Sequence, residues 1–290
     1  MNGCGPLPRG FGRSTLGAVL GGFQNWIGTV LLMSACVGMA GIEPVAEVDV
    51  TVLLRRMAER ARAVAKDTNL PIVVYKNLSY FETLDASGAV RRSKEKLYQV
   101  TLRRGMTHNR LVAIDGRPLT AVESEVQSEK EKRWRDTYAG AKGGSMAERM
   151  DALVNERLLS RFEFKVAGRD SVRDRPCWVL DFQPRTDDLP EERLMDRVIN
   201  LLHGRVWVSM EEHEIVRADV RTEGGLKLWG GMLGSLETFQ LHLDRDRSPL
   251  GVWYPRHAEV TVRARRLFSP MHVRLREISS DVQRWLEPVP

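Results

Sequence analysis

Hydrophobic and polar positions follow two distinct periods along the chain. Over residues 50–66, VTVLLRRMAERARAVAK, the apolar positions Val50, Leu53, Leu54, Met57, Ala61 and Val64 recur at helical spacing, with arginines opposite. That spacing predicts an amphipathic helix, ended by Asn69 and Pro71. From there to about residue 114 the period drops to two. PIVVYKNLSYFETLD, RRSKEKLYQVTL and HNRLVAI are rich in β-branched and aromatic residues, and DASG and DGRP supply turns between and after them.

Helical spacing returns twice. Residues 120–138 carry only a thin apolar line of Val122, Val126, Trp134 and Tyr138, whereas 145–159 align Met146, Met150, Leu153, Val154 and Leu158. Glycine-rich 139–144 separates them. Strands with one-sided apolar faces lie before and after this stretch, so it reads as a helical insertion, around 120–159, into one sheet. In RFEFKVAG, Phe162, Phe164 and Val166 alternate with charges. CWVLDFQPR puts Trp178, Leu180 and Phe182 on one face and Cys177, Val179 and Asp181 on the other. A further helix is expected from about 190 to 202, capped by Asp187 or Asp188, with Pro190 in its first turn and Leu194, Met195, Val198, Ile199, Leu201 and Leu202 on a broad apolar face.

Three glutamates and a histidine crowd into EEHE at 211–214, between two alternating runs. Val206, Val208 and Met210 precede it; Val216, Ala218 and Val220 follow. The four residues therefore read as a hairpin connection whose charged side chains stay in water, and a single histidine among glutamates assigns no metal ligand. Strands at 235–244, 250–264 and 271–280 complete the pattern. The expected class is α+β, with a curled antiparallel sheet of about ten strands, an unclosed barrel or half-barrel, and helices over its concave face.

Composition adds little to this picture. The chain has 290 residues, 42% hydrophobic and 28% charged, with a formal net charge of +6. The basic residues are spread widely rather than gathered on one element, and no nucleic-acid-reading motif accompanies them. Arginines 256, 263, 265, 266, 274 and 276 concentrate on the last two strands, where they either decorate a solvated surface or meet anionic lipid headgroups. The three cysteines make no disulfide framework, and Cys177, in an apolar strand, reads as a small core residue.

Residues 1–46 have a different character. Arg9 and Arg13 precede an apolar run from Trp26 to Met39, with no acidic residue before Glu43. This is the layout of a secretory signal, cleaved after Ala40; a retained N-terminal anchor is the competing reading. MSAC at 33–36 resembles the lipobox of bacterial lipoproteins, which makes Cys36 a candidate lipid-attachment site. An accidental cysteine inside an ordinary signal is the alternative. Either way the mature protein is expected outside the cytoplasm, in the periplasm or associated with the outer membrane.

The element order resembles that of periplasmic lipoprotein-sorting proteins, the LolA and LolB carriers and the MucB/RseB-type sensors, and of their secreted bacterial relatives. Two local patterns carry the resemblance. RDRPCWVLDFQPR at 173–185 is similar to a strand of these proteins, and GRVWVSMEEHEIVRADV at 204–220 is similar to one of their hairpins, with Ser209 where an aspartate is common. The resemblance covers residues 50–280 and implies a single half-barrel domain over 47–290 with a hydrophobic cavity for acyl chains. The family's functional arginine has no matching position.

On that basis the cavity is expected to be lined by Leu194, Val198, Trp178, Phe182, Phe162 and Phe164. The glycine-rich segment GGLKLWGGMLGSL brings in Leu226, Leu228, Trp229, Met232 and Leu233, either folded over the cavity, exposed to a lipid or partner, or packed beneath a neighbouring helix. Sequence motifs for catalysis are missing: there is no G-x-S-x-G, H-E-x-x-H, C-x-x-C or phosphate-cradling loop. His242 and His257 are placed to face each other across adjacent strands. The expected function is non-catalytic binding of a lipid or acylated protein, without cofactor or metal and with contact to a membrane surface. A sensor or scaffold module on the same fold is the alternative, and a hydrolase with an unrecognised site the third.

Overall fold

The computed structural model describes residues 48–139, 161–185, 189, 191, 194–228, 234–266 and 269–286. The expected helix at 145–159, Cys36, and the segment tip Trp229, Met232 and Leu233 lie outside these residues.

Helix α1 spans Val50–Lys66, as the apolar stripe requires. Asp49 caps it, its carboxylate accepting from the Thr51 amide at 2.8 Å and the Val52 amide at 3.4 Å. A meander follows: β1 (Val73–Leu84), β2 (Val90–Arg103), β3 (Met106–Ile114) and the two-residue β4 (Arg117–Pro118). Helix α2 (Ala121–Ala139) begins at a capping box. The Glu123 carboxylate accepts from the Thr120 amide, and the Thr120 hydroxyl accepts from the Glu123 amide.

The second half supplies β5 (Phe162–Val172), β6 (Arg175–Pro184), α3 (Leu194–Ile199), β7 (Leu202–Ser209), β8 (Ile215–Thr222), β9 (Leu226–Leu228), β10 (Gly234–Arg247), β11 (Trp253–Arg266) and β12 (Ser269–Arg284). The helix expected to reach residue 202 stops earlier. Leu201 lies in a turn and Leu202 opens β7, paired with Thr222 and buried, because its apolar side chain serves the sheet.

The twelve described strands belong to one antiparallel sheet in the order β4-β3-β2-β1-β12-β11-β10-β8-β7-β6-β5, with β9 paired to β10 off this path. Its two ends are not paired to each other, so the described strands form no closed barrel. The β9–β10 pairing depends on Gly225: a Cβ there would lie 2.9 Å from the Leu236 carbonyl oxygen.

Register converts the alternation into two faces. On the inner face one row of paired residues runs Phe81–Leu275–Val260–Leu241–Val220–Gly204–Phe182–Phe164 across eight strands. These residues join the main core, which Leu53 and Met57 of α1 complete. One residue further along each strand, the outer face carries Tyr80–Arg276–Glu259–His242–Asp219–Arg205–Asp181–Lys165. From Arg276 onward every member is basic or acidic in strict alternation, with His242 as a basic member. A smaller apolar cluster containing Cys177, Trp207, Val216 and Trp253 accompanies it, so Cys177 is the core residue expected, its thiol pushed up to about 11 by burial. Among the described residues no helix is long and apolar enough to cross a membrane.

The EEHE segment is a hairpin turn, with His213 at φ +57°. Its glutamates are not simply solvated. Glu212 and Glu214 are only 14% and 13% exposed. Glu214 bridges Arg60 of α1 at 3.2 Å and Arg245 of β10 at 2.9 Å, and Glu212 accepts from the Trp253 indole at 2.9 Å. The turn thus fastens the helix to the sheet.

Candidate functional site

A broad concavity lies where β12, β1, β2 and β3 approach the start of α2. Its floor is formed at residues 281–283, 74–76, 97–99 and 110–112, its wall by Pro118, Leu119 and Ser124, and its volume is about 960 Å³. Small-molecule sites typically measure roughly 300–1,000 Å³. A β-bulge shapes the floor: Leu97 pairs with Ala113 and Tyr98 with Leu111, leaving Val112 as the extra residue, 44% exposed. Val74, Leu97, Val112, Pro118 and Leu119 give the groove apolar surface, while Gln99, Lys76 and Arg110 place polar groups along it.

The wall is held by charge. Arg117 donates to both oxygens of Glu123, at 2.7 and 2.9 Å, and this holds the Glu123 carboxyl down to about 2. Farther along α2, Glu131 meets Arg110 at 3.4 Å and accepts from the buried Gln127. Lys76 pairs with Asp281 at 2.8 Å, both well exposed.

On the inner face of the same strands the core turns polar. Glu277, paired with Ser79 and Ala258, is largely buried. Burial raises its carboxyl to about 7, against the pull of hydrogen bonds from Asn77 and Ser79. Lys96, opposite Ser79, is shifted down by burial and then by Lys130 and Lys94.

A second cluster lies on the outer face across β8, β10 and β11. His242 pairs with Asp219 on one side and Glu259 on the other, and Asp244 pairs with His257. His242 Nδ1 hydrogen-bonds Asp219 Oδ1, and its Nε2 lies 3.4 Å from Asp244 Oδ2. Arg217 Nε donates to Asp244 Oδ1 at 2.9 Å. The Asp219 hydrogen bond, with that from Asp244, raises His242 to about 9. Burial opposes ionisation of Asp244, but hydrogen bonds from His242 and Arg217 hold it well below the usual carboxylate range. His257 is shifted down by burial and by the His242 charge. One donor atom each from His242, Asp244 and His257 lie within 4.8 Å of one another, and a cleft of about 240 Å³ opens beside His242 and Glu259.

The residues named from sequence fall elsewhere. Phe162, Phe164 and Phe182 stack together, with ring centroids 5.4–6.4 Å apart, and Trp178 packs against the same core. Phe162 and Phe182 are buried beneath neighbours that include α1. Leu226 is buried in β9 opposite Leu236, and the Leu228 backbone pairs with Gly234. Leu194 opens α3, where Val198 is half-buried. Of the six arginines on the last two strands, Arg274 and Arg276 both clamp the buried Glu82, at 2.6 and 2.8 Å, so neither is free surface charge. Arg256 and Arg265 meet Asp246 and Glu237 at 3.9 and 3.6 Å. Sequence reasoning missed the groove because its floor comes from four strands. It noted His242 and His257 but not Asp244, although His242 and Asp244, two apart in one strand, necessarily share a face.

No family model and no curated protein sequence matches the chain. Several solved structures resemble it at low similarity. An outer membrane lipoprotein-sorting protein domain from Vibrio parahaemolyticus is 11% identical, with a TM-score of 0.32 over 80% of this chain and 91% of that one. A LolA superfamily protein from Nitrosomonas europaea is 11% identical at 0.26, over 83% and 96%. The Pseudomonas aeruginosa MucA/MucB complex matches at 11% and 0.24, over 83% and 100%. Likenesses at that level assign neither ligand nor partner to this chain.

Proposed function

We propose that the chain is a non-catalytic protein of the bacterial cell envelope that binds a lipid, or the acyl chain of a lipoprotein, in the groove between the sheet and α2. In this reading the open sheet curls into a half-barrel with helices over its concave face, and the layout of residues 1–46 supports a place outside the cytoplasm. The observation that carries the reading is the groove itself, about 960 Å³, in which apolar Val74, Leu97, Val112, Pro118 and Leu119 lie alongside the cations Lys76 and Arg110. Each methylene removed from water contributes roughly 0.8 kcal/mol, so a partly buried acyl chain gains enough for reversible binding. Lys76 and Arg110 suit an anionic headgroup. Their exposed ion pairs are each worth about 0–1 kcal/mol, so exchanging a carboxylate partner for a headgroup costs little.

Native mass spectrometry of the chain purified from its own membrane fraction tests this directly. The expected spectrum shows a co-purifying lipid that a fluorescent fatty acid displaces. Val112→Trp, which fills the groove at the bulge, should weaken fatty-acid binding about tenfold while leaving the thermal midpoint unchanged. A chain that carries no lipid and binds no fatty acid refutes the reading. A bound polypeptide in place of lipid replaces it with partner recognition.

A further inference from the structure

We propose that His242, Asp244 and His257 form a binding site for a first-row divalent metal ion of the zinc or ferrous-iron class, on the outer face of the sheet. The site is independent of the groove and does not rest on lipid binding.

The argument begins with distances. His242 Nε2 and Asp244 Oδ2 stand 3.4 Å apart. Two ligand atoms bound to one tetrahedral ion at about 2.0–2.1 Å are separated by roughly 3.3 Å, so this edge is already formed. All three donors lie within 4.8 Å. Drawing in a pair even at that limit asks for no more than about 1.5 Å of movement from half-buried side chains.

The supporting groups are also placed as a metal site needs them. A metal-bound imidazole usually donates its other ring N–H to a carboxylate, which fixes its tautomer. The Asp219–His242 Nδ1 hydrogen bond does this and leaves Nε2 facing Asp244, where an arriving metal ion would displace its proton. Arg217 engages Oδ1 of Asp244, so Oδ2 remains available. The register of β10 and β11 shifts between Asp244 and Arg245, making Arg256 the extra residue beside His257. Bulges of this kind re-aim neighbouring side chains.

Donor chemistry narrows the ion. Two imidazoles and one carboxylate suit zinc, ferrous iron or their neighbours, whereas calcium and magnesium demand oxygen ligands. The cleft lined by Gln240, Glu259 and Thr261 reaches His242 but neither Asp244 nor His257, so the position left open by three protein ligands falls to water.

Zinc itself is the probe. The full chain, without a histidine tag and stripped with chelator, should take up one equivalent of Zn²⁺ in a titration followed by calorimetry, and Co²⁺ should give the visible absorption of a nitrogen- and oxygen-ligated ion. His257→Ala and Asp244→Asn should each weaken binding at least tenfold. Asp219→Asn, acting through His242, should weaken it about 10–100-fold. His203→Ala, elsewhere on the sheet, should leave affinity unchanged. Circular dichroism of the metal-free variants establishes that they are folded. No uptake by the wild-type chain overturns the proposal, as does uptake that folded His257→Ala and Asp244→Asn retain at wild-type affinity.

Discussion

The two faces of this sheet differ by a single step along each strand. The inner row from Phe81 to Phe164 is apolar wherever it carries a side chain; the outer row from Arg276 to Lys165 is charged at every position, with signs alternating. The inner row is held by a non-directional force proportional to area. The outer row is held by pairs, each weak where water screens it. A one-residue slip of any strand would bury arginines and expose valines, so both rows specify the same register. The energies are nevertheless unequal, and substitutions can show this.

The largest effect is expected on the inner row. Leu241 is 5% exposed, and Leu241→Ala should destabilise the fold by about 2–5 kcal/mol, read as a lower urea midpoint with an unchanged slope.

A middle effect tests an acidic interruption of the inner face. Glu277 has an ordinary carboxyl value of 4.5, raised to about 7 by burial. The folded chain therefore holds a proton that the unfolded chain releases between those two values. Its contribution to stability is complete below 4.5 and is lost as pH rises through 7. Relative to Glu277→Gln, the wild-type protein should lose about 1–3 kcal/mol between pH 4.5 and 8, measured by denaturation at fixed ionic strength. Parallel pH curves for the two proteins would place the carboxylate in water instead.

The smallest effect belongs to the outer row. Arg205 donates to both oxygens of Asp181, at 2.7 and 2.9 Å, yet Asp181 is 43% exposed. Asp181→Asn should cost less than about 1 kcal/mol, and the loss should shrink further in high salt. A cost equal to that of Leu241→Ala would erase the distinction between the faces.

Local features were legible in the sequence and long-range ones were not. The stripe from Val50 to Val64 marked α1, and alternation around Trp178 and Val206 marked β6 and β7, because period and cap are local properties. Leu202 was ambiguous, since one apolar residue after a helix satisfies either a helical face or the next strand. The EEHE turn was legible as a turn. The ion pairs of Glu212 and Glu214 were not, because Arg60 and Arg245 come from distant elements. For the same reason the groove, built from β12, β1, β2 and β3, had no sequence signature. The closeness of His242 and Asp244 was legible, since they are two apart in one strand, but register decides what faces His257: it pairs with Asp244, and His242 pairs with Glu259 rather than His257.

The place of β12 between β1 and β11 has a consequence for how the protein is made. Arg274 reaches back 192 positions to Glu82, and the meander β1–β4 has no other link through the sheet to the strands from β11 onward. As the polypeptide emerges, β1 must wait with one side unpaired until nearly all the later strands have been synthesised. Non-local closure of this kind is slow, and an open strand edge invites association with other chains. Nascent copies should therefore depend on a holding chaperone, and a chain stopped short of β12 should yield two unjoined fragments of sheet.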